Sequence, residues 1–112
     1  MTKQEAIRFI YDKVKLYERD EFNVAHNFPN PFNPSTTIGY TVESAGNVKI
    51  TIFDIRGQKV YELVNGFHMP GIQYNATWNA ENQSNKPIST GIYFYEVRTE
   101  ADVKRFKMAF VK

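Results

Sequence analysis

The sequence predicts an all-β protein, an antiparallel sandwich of about seven short strands, with an amphipathic α-helix ahead of it. Three observations carry this. From Thr36 onward, short stretches rich in β-branched and aromatic residues alternate apolar with polar, the period of a half-buried strand. Clusters of Gly, Asn, Ser and Pro separate these stretches. No helical pattern lies between them, which points to sheets packed face to face rather than to βαβ units.

The helix comes first. Residues 2–20 begin with Thr2-x-x-Glu5, the spacing of a capping box. Ile7, Ile10, Val14 and Tyr17 then recur at helical spacing on one face. The pattern fits packing on the chain's own domain, or a short self-association seam giving a homodimer. Its span of about two heptads is short of a convincing coiled coil.

A boundary follows. Phe28-Pro29, Asn30-Pro31 and Asn33-Pro34 fix φ three times and push each preceding residue out of the helical region. The chain is therefore divided into residues 1–22, a helical linker or appended segment, and residues 23–112, the β domain.

Within the β domain, residues 36–42 form the first expected strand, with Ile38, Tyr40 and Val42 on one face. Glu43 to Asn47 is a turn, and residues 48–52 alternate cleanly. Asp54-Ile55-Arg56-Gly57 is a hairpin turn, with residues 58–64 as the returning strand and Asn65-Gly66 as the next turn. Residues 72–78 end on Trp78, the single tryptophan and the expected anchor of one end of the core. A polar loop over residues 79–90 leads to the aromatic strand 92–99, and residues 103–111 make the last strand.

Composition bounds the function. A chain of 112 residues holds one domain with a real core, and its formal charge of +2 is too small to argue for nucleic acid. It has no cysteine, hence no disulfide framework or thiolate metal site. No segment reaches the roughly 20 apolar residues of a membrane helix, and the N-terminus lacks the apolar run of a signal peptide.

No catalytic constellation emerges, and no cofactor or metal is expected. His26 and His68 stand without partners at ligand spacing and read as surface residues. The serines lie in turns, outside any nucleophile elbow. Asn79, Glu81 and Asn82 lack the repeated Asp of a calcium loop. Tyr93 and Tyr95 share one face of their strand, where they either pack or stack against a sugar ring or a partner. Lys104, Arg105, Lys107 and Lys112 make the last strand basic, either to discourage edge-to-edge aggregation or to form a recognition strip.

Five segments, in order, carry a family resemblance. Residues 27–40 (Asn-Phe-Pro-Asn-Pro-Phe-Asn-Pro-Ser-Thr-Thr-Ile-Gly-Tyr) resemble the opening of the type A C-terminal sorting domain of the type IX (Por) secretion system. Gly46 to Val60 resembles its central hairpin, Gly71 to Ala80 its Gly-to-Trp strand, Ser89 to Tyr95 its aromatic strand, and Lys107 to Lys112 its terminal Lys-Met strand. Ala80 and Ser84-Asn85 stand where the family usually has Gly, and Asn85 tolerates positive φ.

The resemblance implies an immunoglobulin-like sandwich that serves as a non-catalytic secretion address. It implies two partners, an outer-membrane translocon and a sortase-like peptidase. It also implies passage through the periplasm to the surface or the medium, as part of a longer precursor. On that reading Lys107, Met108, Val111 and Lys112 carry the address with Lys104 and Arg105 beside them, and Pro31, Phe32, Trp78, Gly91 and Tyr93 anchor the fold. The same pattern resembles the immunoglobulin-like domain of the flagellar hook-capping protein, an assembly part. A glycan-binding module using Tyr93, Tyr95 or Trp78 is the third reading.

Overall fold

The turn Asp54-Ile55-Arg56-Gly57 sets the register of the longest hairpin. Asp54 Oδ1 accepts the amides of Arg56 and Gln58, both at 2.9 Å, and Gly57 closes the turn at φ +85°, where a Cβ would be strained. The computed structural model describes residues 25–112. Its strands are β1 (Ala25–Phe28), β2 (Thr36–Tyr40), β3 (Gly46–Asp54), β4 (Lys59–His68), β5 (Tyr74–Trp78), β6 (Gly91–Arg98) and β7 (Val103–Phe110). They form two antiparallel sheets, ordered β1-β2-β5 and β4-β3-β6-β7. Among the described residues there is no helix; the one expected over residues 2–20, with any dimer built on it, lies outside them.

Alternation puts one face of each sheet into a shared core. Ile38, Ile50, Ile52, Val48 and Met108 are almost wholly buried there with Phe32, Trp78 and Tyr95. Each such side chain contributes about 1.5–3 kcal/mol on burial, enough to hold a sandwich of this size without a crosslink. Trp78 packs against Phe32 at 5.7 Å and edge-on to Tyr93 at 5.9 Å, and its indole N–H donates to the Glu81 carbonyl at 2.9 Å.

The structure departs from expectation in three places. β1 is a strand within the segment taken as boundary: Ala25 and Asn27 face inward, and it pairs with β2 from Ala25↔Tyr40 to Phe28↔Thr37. Asn65-Gly66 does not turn the chain, because β4 continues through it to His68 opposite Gly46. His68 is consequently buried rather than superficial. Its Nδ1–H donates to the Gly66 carbonyl at 3.0 Å, so in the neutral ring Nε2 accepts the Tyr40 hydroxyl at 2.8 Å. That bond, with the Tyr74 ring tilted against the imidazole at 4.2 Å between centroids, ties the two sheets at one end.

The 79–90 loop is organised by Asn82, whose Oδ1 accepts the amides of Ser84 and Lys86. Ala80 and Asn85 both take positive φ, +57° and +61°. The Gln83 side chain accepts the Glu62 amide at 2.9 Å and so covers part of the β4 edge.

Candidate recognition edge

β7 is the edge strand of the four-stranded sheet, paired with β6 over its whole length from Arg98↔Val103 to Gly91↔Phe110. Its alternation sends Phe106, Met108 and Phe110 inward and leaves Val103, Arg105, Lys107 and Ala109 on the outer face. The basic residues are therefore split. Arg105 and Lys107 share the outer face, whereas Lys104 is the register partner of buried Val97, on the inward side of the alternation. Met108, grouped by sequence with the recognition strip, is 1% exposed; its side chain holds the strand and does not face a partner. Val111 is 48% exposed, and Lys112 leans over the Phe110 ring.

The boundary motif closes one end of this edge. Phe32 N–H donates to the Ala109 carbonyl at 2.9 Å, and Val111 N–H donates to the Phe32 carbonyl at 3.0 Å, a short parallel bridge. The Asn30 side chain accepts the Ala109 amide at 3.0 Å. Phe32 then stacks on Phe110 at 5.1 Å, so the phenyl ring and the backbone on either side of it grip the same strand end. Pro31 itself is exposed and serves the path of the chain, not the core. Gly91 and Tyr93 support the neighbouring strand, Gly91 opening β6 and the Tyr93 hydroxyl donating to the Ser89 carbonyl at 2.7 Å.

The outer face beside the edge is held by charge. Glu96 is buried although it points outward, because Arg98 and Arg105 clamp its two oxygens at 3.2 and 3.0 Å. Arg105 also lies over the Phe53 ring at 5.1 Å. The next row across the sheet reads Phe53, Phe94, Lys107. Lys107 has no ion-pair partner among the described residues. At the other end of β7, Glu43, Glu100 and Asp102 line a cleft of about 310 Å³ between the β2–β3 and β6–β7 turns, so charge along the edge runs from acidic to basic.

Among the described residues no three His, Asp or Glu side chains are grouped to hold a metal ion. Trp78, Tyr93 and Tyr95 are all within the core, so none of them offers a ring face to a sugar. The Phe32 and Asn30 contacts with the last strand had no signal in the sequence beyond the stiffness of the proline run.

Comparison with known proteins adds to this. A family model described as the CHU_C type IX secretion signal domain matches residues 20–112. No curated protein matches the chain. Among solved structures, it resembles dimeric latent PorU from Porphyromonas gingivalis at 22% identity and a TM-score of 0.63, covering 87% of this chain and 10% of that one. It also resembles PorZ, a surface component of the type IX secretion system of the same bacterium, at 18% identity and a TM-score of 0.57, covering 80% of this chain and 12% of that one. FLGD from P. aeruginosa matches at 21% identity and a TM-score of 0.53, over 67% of this chain and 57% of that one. At these identities the likenesses to solved structures establish a shared fold.

Proposed function

Because the chain belongs to the type IX secretion signal domain family, we propose that residues 23–112 are a sorting module, an address that an outer-membrane translocon reads to move an attached cargo from the periplasm to the cell surface or beyond. The observation that carries this is the family match itself, which spans every described strand, β7 included. Residues 1–22 are then the tail of the cargo or a linker. The sandwich is of immunoglobulin type with its fourth strand switched, since three strands face four and β4 pairs with β3 instead of β5. A sortase-like peptidase is the second partner, acting after export.

The module works without chemistry of its own. Its task is to present a folded, soluble surface with one distinctive edge, and the buried rings of Phe32, Trp78 and Phe110 keep that edge in register. Sufficiency is the test. Residues 23–112, fused behind a periplasmic export signal and a fluorescent cargo, should carry the cargo out of a bacterium with an active type IX system. Cargo that stays in the periplasm while the domain is folded would contradict the proposal.

A further inference from the structure

We infer that the β7 edge from Arg105 to Lys107, which no backbone group among the described residues meets, is a strand-addition site for an extended segment with acidic side chains at alternate positions. The inference rests on the sorting reading only for its biological use. Ala109 turns both its N–H and its C=O away from β6, toward Asn30 and Phe32. Backbone direction alternates along an antiparallel strand, so Arg105 and Lys107 turn their donors and acceptors to the same side, as does Val103, whose N–H is already taken by the Asp102 carboxylate at 2.8 Å. Among the described residues no backbone group meets them there. The other edge of the sheet differs, because Gln83 takes the Glu62 amide on β4.

The chemistry of the occupant follows from the faces. A residue paired with Arg105 or Lys107 puts its side chain on the outer face beside that cation, so acidic residues two apart meet both. The residue between them faces inward next to half-buried Phe106 and is best apolar. Glu100 and Asp102 at the Val103 end repel an acid placed there, which fixes where along the strand the acidic pair sits. The bridge from Phe32 blocks the edge beyond Met108, so the added strand ends against it. This is β-augmentation, in which main-chain bonds supply affinity and alternate side chains supply specificity.

The experiment is a titration of the full 112-residue chain, ¹⁵N-labelled, with the peptide Glu-Val-Glu-Val-Glu-Val-Glu, its Lys-for-Glu counterpart, and an N-methylated acidic peptide. The acidic peptide should slow exchange of the Arg105 and Lys107 amides by about tenfold or more and lose affinity as salt rises. The basic and N-methylated peptides should do neither. Lys107→Pro removes the outward donor at an edge position that tolerates proline and should abolish binding. Lys107→Glu keeps the backbone and should weaken it, so a misfolded proline variant does not leave the question open.

Equal binding of the acidic and basic peptides, protection elsewhere on the chain, or no binding at all would overturn the inference. Export of cargo fused to the same variants separates the two readings. If deletion of residues 107–112 stops export and Lys107→Pro and Lys107→Glu do not, the address stands and strand addition at this edge is not what export uses. Export that survives the deletion removes the address, and the titration still decides the edge.

Discussion

Asn30 and Ala109 stand 79 positions apart, yet the Asn30 side-chain oxygen accepts the Ala109 amide at 3.0 Å. With the Phe32 N–H donating to the Ala109 carbonyl and the Phe32 carbonyl accepting from the Val111 N–H, this contact makes the proline-rich entry and the terminal strand one unit. Phe32→Ala removes a ring that is 1% exposed and should cost about 3–5 kcal/mol in urea unfolding. Asn30→Ala removes one exposed hydrogen bond and should cost about 0.5–1.5 kcal/mol, with faster exchange at the Ala109 amide as its local signature. A Phe32→Ala cost below about one would remove the ring from the core.

Trp78 anchors the same end of the sandwich. Trp78→Ala should destabilise by about 3–5 kcal/mol. Trp78→Phe keeps part of the packing but leaves the Glu81 carbonyl without its donor, so it should fall between the alanine variant and the parent.

Ala80 sits at φ +57°, a region that disfavours any residue with a Cβ. Ala80→Gly relieves that strain at the expense of one buried methyl group, and the two effects are of similar size, about 1 kcal/mol each. The variant should therefore be neutral to slightly stabilising. A loss of more than about 1.5 kcal/mol would show the methyl contact to dominate.

Alkaline pH should weaken the fold. Burial pushes the Tyr40 phenol up to about 12, with neighbouring Tyr74 adding to it, and burial also pushes the Tyr95 phenol up. Both rings are neutral in the folded chain when the unfolded chain, with tyrosines near 10, has begun to ionise. The stabilisation is full below pH 10 and lost as pH rises through about 12, worth about 2–3 kcal/mol for Tyr40. Tyr95→Phe should reduce the fall without destabilising at pH 7, since among the described residues nothing hydrogen-bonds that hydroxyl. Thermal unfolding followed from pH 8 to 11.5 checks the sign.

Much of the fold is legible because its signals are local. The turn from Asp54 to Gly57 needs one side chain and one glycine, and the alternation of Phe106, Met108 and Phe110 needs only the sheet's period of two. What escaped depends on distant partners. β1 hides because one of its two inward residues is polar: Asn27 is buried through a 3.1 Å bond to the Thr36 hydroxyl. Asn65-Gly66 looks like a turn, but β3 continues opposite it and pairs Gly66 with Val48.

The proposed recognition edge was legible only in part. Charge marked Arg105 and Lys107, but the face each basic residue takes depends on the register with β6, which places Lys104 opposite Val97 and Met108 opposite Tyr93. The cap from Asn30 and Phe32 required the fold, because sequence alone does not say that a proline-rich entry will return to the last strand.

The sorting account is tested most directly by removing residues 107–112 from the exported fusion and measuring where the cargo goes. The account predicts cargo in the medium or on the surface with the intact β7 and cargo held in the periplasm without it. Proteolysis and Trp78 fluorescence on the purified truncated domain report whether the rest of the core survives. Equal export of both fusions would contradict the claim that the terminal strand carries the address.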